Sequence, residues 1–462
     1  MKNEKIQETD LNRKLDLVLE TGALLMESGA DTSRIRRTMN RVAGFLGLPL
    51  DNLQIYVMFS LLLVYFNDEE RSYTKMRRIS KHGVNLDAIR EVSHLSWEDL
   101  RKDYTEEEFR QHLEAIRTRK SNYKPWSVAV GGGLACGGFC IQFGSDWTAF
   151  VYTAIAACLG LRLRAFLNKK GSNPYIGIGV VAMVSTLIAW LFGLLSTQFA
   201  ATYPTWAFLQ SDTPWHPLLS CALFIVPGVP LINFVSDMLT GNTQVGLTRA
   251  ANTMMILTAM AFGIAFAIQV CGIDSFVHDM SITPHHSYLT YITAAAISSV
   301  GFSMIFNVPP RLMGFIALGG IIAICTRNLV SLGASTGNFG LDLGPVIGSF
   351  FGSAVISIIC CALVHRLHTP HQCLSIPSVI PMVPGVLMYR ALFAFIDMHG
   401  VVGEVTVAMN NAIRASLIIL CIALGVAIPN IFFRRMIYPL REQKMIDMIV
   451  KRKQQNAKES AG

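Results

Sequence analysis

Charge is the commodity this chain lacks. Only 15% of its 462 residues are Asp, Glu, Lys or Arg, and 52% are hydrophobic, where a soluble domain carries about 25% charge. The shortage is local. Residues 1–124 are rich in charge, and residues 125–437 hold little. A single soluble fold is therefore excluded, and one soluble unit followed by an integral membrane unit is expected. Cysteine is absent before Cys136, and the ten that follow lie mostly in apolar stretches, with Cys360-Cys361 adjacent and no metal-ligand spacing. That pattern reads as small buried hydrophobes and excludes a disulfide framework. No apolar core follows Met1-Lys2-Asn3-Glu4-Lys5, so a cleavable signal peptide is not expected. The net charge of +8 sits largely in loops that flank apolar runs and in the tail. There it fits the positive-inside rule, and no phosphate-binding stripe or nucleic-acid partner is implied.

What is present is a short element that occurs twice. Val226-Pro227-Gly228-Val229 and Val383-Pro384-Gly385-Val386 each interrupt an apolar stretch. Proline removes a donor and clashes with the preceding turn, and glycine loosens the break further. In hydrocarbon, freed backbone groups are tolerated only where protein or a water-filled cavity satisfies them. Interrupted helices at matching positions of two halves point to a transporter's binding site.

Residues 1–124 read as a small cytoplasmic α+β domain. Helices are predicted over 11–28 and 33–46, the second capped by Asp31 or Thr32. Residues 53–66 suit one long or two short strands, 67–70 a turn and 71–77 a partner strand. Two more helices follow over 86–100 and 106–119, the latter entered through a Thr105/Glu108 capping box. Arg34, Arg36, Arg37 and Arg41 are expected on a solvated face, with anionic lipid or a membrane loop as the alternative. His82, His94 and His112 are scattered. No nucleophile elbow, phosphate loop or metal spacing occurs in this domain, which leaves a membrane enzyme without a cluster to do its chemistry.

A helix needs about 20 apolar residues to span the bilayer. Candidate spans are 125–143, 147–167, 175–198, 215–235, 246–271, 287–307, 310–327, 339–364, 374–396 and 405–433, and 438–462 is a polar tail. Basic residues alternate between loops, placing both termini in the cytoplasm of a multi-pass inner-membrane protein, and Arg327 alone departs from the pattern. Gly138–Phe143 parallels Gly301–Phe306, Arg164 matches Arg327, and Arg249-Ala250-Ala251 matches Arg414-Ala415-Ser416. The expected fold is thus a polytopic α-helical membrane protein of about ten spans. They form a 5+5 inverted repeat over 125–271 and 272–437, and inversion puts Arg327 at the outer end.

Ionisable residues inside a membrane are functional candidates by default. Arg390 follows the second break, beside Tyr389. Asn233 aligns with Arg390 in the first half, and Asp237 lies one turn on. Arg414 lies within the last span, after Asn410 and Asn411, and Asp342 interrupts the eighth. The breaks at Pro227, Gly228, Pro384 and Gly385, with Asn233, Tyr389, Arg390 and Arg414, suit a carboxylate-bearing solute, because a guanidinium grips a carboxylate bidentately. Asp237 or Asp342 is the candidate proton-coupling acid. The alternative pairs Arg390 and Arg414 with Asp397 and Glu404 as interfacial anchors and puts Asp237 at the cytoplasmic surface. Arg249 is expected to be a positive-inside anchor. His365, His368 and His371 recur every third residue, but Pro370 spoils a shared helical face, and no metal or other cofactor is expected.

Two stretches resemble the threonine/serine exporter family. They are Gly22-Ala23-Leu24-Leu25-Met26-Glu27-Ser28-Gly29-Ala30-Asp31-Thr32-Ser33-Arg34 and Phe224-Ile225-Val226-Pro227-Gly228-Val229-Pro230-Leu231-Ile232-Asn233-Phe234-Val235-Ser236-Asp237-Met238, followed by Gly241. Residues 381–387 resemble that family's second membrane module. The resemblance implies a ten-span carrier with a cytoplasmic N-terminal domain that exports small hydroxylated amino acids on the proton gradient. Similar two-chain proteins are linked to dicarboxylate export, so the substrate does not follow from membership. A membrane sensor with a signalling domain is the remaining alternative, and a homo-oligomer is left open.

Overall fold

A computed structural model describes residues 2–67, 71–102, 104–273, 286–333, 339–385, 387–388, 390–391 and 402–459. In the leading domain, α1 (Lys2–Glu27) and α2 (Thr32–Phe45) pack together over an antiparallel sheet. Its strands β1 (Leu53–Val57), β2 (Leu61–Asn67) and β3 (Ser72–Arg78) lie in sequence order. β1 and β2 alternate buried and open positions, which gives the sheet one apolar face. Leu62 and Val64 on that face meet Leu15, Val18, Ile35 and Met39 from the helices in one core. α3 (Leu86–Lys102) and α4 (Glu106–Thr118) complete the domain, and Thr105 and Glu108 cap α4 reciprocally as expected. The domain is α+β as read from the sequence, with two short strands where 53–66 allowed one.

α1 ends at a left-handed glycine. Gly29 has φ +85°, and Ala30 N–H donates back to Leu25 O (3.0 Å), closing the helix as a Schellman-type turn. A Cβ at Gly29 would also lie 2.7 Å from Gly83 O. Asp31 then caps α2, its Oδ1 accepting from Arg34 N–H (2.9 Å). The resulting sharp corner, residues 29–34, projects toward the membrane unit.

That unit contains α5 (Pro125–Gln142), α6 (Trp147–Lys169), α7 (Pro174–Thr202), α8 (His216–Ser220), α9 (Gly228–Leu239) and α10 (Thr243–Val270). α11 (Tyr288–Ile305), α12 (Met313–Ser331), α13 (Gly344–Leu367), α14 (His371–Val379) and a C-terminal helix (Val402–Glu459) follow. Among the described residues seven helices are long and apolar enough to cross a membrane, or eight if the bent pair His216–Ile225 and Gly228–Leu239 is one span. Ten were expected. The shortfall includes α5, whose five glycines dilute its apolarity, and the second break, which is divided between short elements. The last helix runs unbroken to Glu459, so the span 405–433 and most of the polar tail share one helix. His365, His368 and His371 do not share a helix face: α13 ends at Leu367, His368 is left-handed (φ +47°), and α14 begins at His371. All ten cysteines are free.

The segments that resemble each other in sequence are packed together. α5 crosses α11 where Gly301 approaches the Gly131 carbonyl and Gly138 approaches Ser298. A Cβ on Gly301 would lie 2.6 Å from Ala135 N, and one on Gly138 would lie 2.7 Å from Ala294 O. Small residues let helix backbones approach closely in lipid, where no hydrophobic force drives helices together. Gly301→Leu should therefore destabilise the protein by at least about 1–3 kcal/mol. The check is the melting temperature of the detergent-purified chain, and an unchanged value would contradict this packing.

Candidate functional site

The two breaks have the same construction. In the first, α8 leads to a 3-10 turn, Leu223–Ile225, then Val226-Pro227, and α9 restarts at Gly228. In the second, α14 leads to a 3-10 turn, Ile380–Met382, then Val383-Pro384, and helix resumes at Gly385. Their backbone bonds correspond. Gly228 N–H donates to Val226 O (2.8 Å) as Gly385 N–H donates to Val383 O (2.8 Å), and Leu231 N–H reaches Pro227 O (2.9 Å) as Met388 N–H reaches Pro384 O (3.1 Å). The first pair of helices bends by 59°.

They also meet. A Cβ on Gly228 would lie 2.8 Å from Ile380 Cδ1, and one on Gly385 would collide with Leu223. Each break thus receives in its glycine notch the apolar side chain that opens the other break's 3-10 turn. Phe139 and Phe302 stand edge to face beside them, centroids 5.5 Å apart. These residues, with Val226 and Val383, line a cavity of about 10 Å³, enough for no more than one water. The site is closed to a solute in this conformation.

The structure distributes the expected site residues unevenly. Gly228 and Gly385 form the meeting point, each directly after its proline, Pro227 or Pro384. Arg390 follows the second break, and its Nε and Nη2 are buried with no hydrogen-bond partner among the described residues. Tyr389 and Asp397, with the side chain of Glu404, lie outside the described residues. Arg414 is exposed on the C-terminal helix. Asp342 is exposed and left-handed (φ +56°) and precedes α13, so it stands at the helix entry and does not interrupt a span.

Asn233 and Asp237 face the soluble domain. Thr32 N–H donates to Asp237 Oδ1 (2.9 Å), and Asn233 Nδ2 donates to Gly29 O (2.9 Å). Arg249 on α10 pairs with Asp237 (Nε to Oδ2, 3.1 Å) and donates from Nη2 to Ala30 O (2.8 Å). Asp237 is fully buried, and Arg249 is only 4% exposed. Arg249 is therefore an internal ion-pair partner and not a surface anchor. Of the arginines of α2, Arg36 keeps the exposure expected of it, whereas Arg34 is half-buried and Arg41 is buried. Arg36 Nη2 donates to Asn242 Oδ1 (3.0 Å) and Arg34 Nε to Gln372 Oε1 (3.1 Å), both in the membrane unit. Arg41 turns inward to Ser96 Oγ (2.8 Å) and stacks on Trp97. Desolvation, and secondly the Arg249 charge, hold the nearby His82 imidazole below its ordinary value. A second corner docks at Asn307 (φ +55°), whose side chain accepts from Ser121 (3.0 Å) and from Asn122 N–H (2.8 Å).

The corner over residues 29–34 thus touches both broken helices: α9 after the first break and α14 before the second. Sequence reasoning offered the α2 arginines a membrane loop as an alternative partner, which Arg36 meets at Asn242, but missed the backbone contacts of the corner. The available signal was the i, i+4 pair Asn233/Asp237 on an otherwise apolar helix, which marks one polar face without saying what covers it. Among the described residues no cluster could hold a metal ion. Removing one partner of a buried ion pair costs about 3–5 kcal/mol. Arg249→Ala should accordingly raise amide hydrogen exchange over residues 29–35, and Arg249→Lys, which keeps a cation beside Asp237, should restore part of the protection. Equal exchange in the wild type and Arg249→Ala would contradict the docking.

Against known proteins, residues 16–271 match the family described as "Putative threonine/serine exporter", and residues 291–432 match "Threonine/Serine exporter, ThrE". The chain is 21% identical over 433 residues to "Threonine/serine exporter" of Corynebacterium glutamicum, covering 92% of this chain and 84% of that one. It is 20% identical over 400 residues to "Probable threonine/serine exporter" of Mycobacterium tuberculosis, covering 84% and 71%. It is 27% identical over 265 residues to "Probable succinate transporter subunit YjjP" of Escherichia coli, covering 56% of this chain and 96% of the relative. No solved structure matches. The chain belongs to the threonine/serine exporter family.

Proposed function

We propose that this exporter is a secondary transporter that moves threonine and serine out of the cell, with the paired Val-Pro-Gly breaks as its central site. The observation that carries the reading is the reciprocal notch contact, Gly228 with Ile380 and Gly385 with Leu223. Two irregular backbones that close on each other can also part, and the amides exposed at a broken helix end, aided by the helix dipole, suit a carboxylate. Arg390 supplies the guanidinium, since its donors are buried and unpartnered among the described residues.

The matched construction of the breaks supports ten spans in a 5+5 inverted repeat, with both termini cytoplasmic and one half rocking against the other. Asp237 is the stronger candidate for proton coupling, ahead of Asp342. Protonating it would dissolve its pair with Arg249 and weaken its hold on Thr32, freeing the corner that touches both broken helices. A dicarboxylate is the second reading. It is favoured by the relative from Escherichia coli, whose printed name concerns succinate and which the chain covers almost completely.

The test is efflux of labelled threonine, serine or succinate from vesicles loaded through the purified full-length chain. Arg390→Ala should lower flux at least about tenfold, the scale of one lost charge-assisted contact, and Arg390→Lys should recover part of it. Wild-type flux in Arg390→Ala would remove Arg390 from the site. No flux of any solute by the wild type would defeat the carrier reading.

A further inference from the structure

Two polar side chains at the far end of the membrane unit, one buried and one half-buried, hold polar atoms sealed from solvent. Arg327 lies four residues before the end of α12, inside an apolar helix. Its Nε is sealed from solvent without a hydrogen-bond partner, and no carboxylate pairs with it among the described residues. Tyr291 on α11 is 2% exposed, and its hydroxyl is buried beside the His286 backbone with no side-chain hydrogen-bond partner among the described residues. An unpaired guanidinium within a span is costly, and such residues mark solute pathways.

The two side chains stand at one level. α11 and α12 are packed neighbours and run in opposite directions. They touch where Gly320 faces Ser299 and the Ala295 carbonyl. Tyr291 is eight residues back along α11 from Ser299, and Arg327 is seven residues on along α12 from Gly320. At the helical rise these are displacements of about 12 and 10.5 Å in the same direction.

This level adjoins the second break. A Cβ on Gly352 would lie 2.9 Å from Met382 Sδ and 3.2 Å from Arg327 Cβ, so Arg327 and the residue before Val383-Pro384-Gly385 meet over one glycine. It also faces away from the soluble domain. The opposite end of α11 carries Phe306 and Asn307, which bond to that domain. Tyr291 instead lies against the His286 ring, centroids 6.0 Å apart, and His286 Nε2 contacts Ser145 O (2.8 Å). A guanidinium and a phenol are both donors, so their shared ligand is an anion, and a planar carboxylate fits the guanidinium fork.

We infer that Arg327 and Tyr291 form a second carboxylate-binding station, between the paired breaks and the face of the membrane unit turned away from the soluble domain. The station rests on the carrier reading above and extends it by giving the solute a foothold on the far side of the breaks.

The test uses the full-length chain in vesicles, with labelled threonine presented separately at each face. Arg327→Gln should raise KM at the far face at least about tenfold, as expected for a lost charged hydrogen bond, and leave KM at the soluble-domain face within twofold. Arg327→Lys should recover part of the loss, and Tyr291→Phe should raise the far-face KM about threefold. Equal changes at both faces, or none at either, would overturn the station. A second readout needs no flux: thermal stabilisation of the detergent-purified protein by threonine or succinate, with threoninol as the carboxylate-free control. Stabilisation by carboxylates that is weakened in both Arg327→Gln and Tyr291→Phe supports the station even if the wild type moves no threonine, an outcome that would count against the carrier reading alone. Full wild-type stabilisation in Arg327→Gln would sink it.

Discussion

Hydrocarbon does not forgive an unsatisfied peptide group, and this constraint shapes the membrane unit. A proline followed by glycine opens the hydrogen-bond ladder of α9 at one place and of the helix after Ile380–Met382 at another. Each opening is repaired locally by a 3-10 turn and by the short Gly N–H to Val O bond, and then covered by the other opening. Glycine makes the notch on both sides, because a side chain at 228 or 385 would push the tip of Ile380 or Leu223 out of it. The same economy of bulk recurs where α5 crosses α11 and where Gly352 admits Met382 and Arg327. Close backbone approach is the means by which this chain assembles its interior.

The soluble domain extends that assembly. Its corner at residues 29–34 ends one helix in a left-handed glycine and starts the next at an aspartate cap, and this turn delivers carbonyls of Gly29 and Ala30 and the Thr32 amide to α9 and α10. The carbonyls and amide are neutral, whereas Asp237 and Arg249 are charged. The ion pair is therefore balanced internally, and the corner satisfies its remaining hydrogen-bonding capacity. Because the corner also reaches Gln372 through Arg34, a movement of either broken helix would be felt in the soluble domain. This linkage bears on the sensor alternative raised by the sequence: contact between the domains is compatible with transport and does not require signalling.

Much of the fold was legible in the sequence where one local rule decides. Thr105 and Glu108 cap α4, Asp31 caps α2, Gly29 ends α1, and alternation marks β3. The two breaks were legible for the same reason, since Pro-Gly in an apolar run has few innocent readings. The count of spans was less so, because α5 is held by glycine contacts rather than by apolarity. The surroundings of charged groups were least legible. Asn233, Asp237 and Arg249 carry the pattern of a membrane binding site, yet what they bind is another part of the chain, and helix periodicity cannot distinguish a docked loop from a solute. Arg390 and Arg327 carry the same signal and lack such partners among the described residues, which only coordinates could reveal.

The most direct measurement is an electron cryomicroscopy map of the full-length chain in a lipid nanodisc with saturating threonine. The proposed site predicts parted breaks, solute density between Val226–Gly228 and Val383–Gly385, and the Arg390 guanidinium on its carboxylate. Solute bound elsewhere, with Gly228 still closed on Ile380 and Gly385 on Leu223, would contradict it.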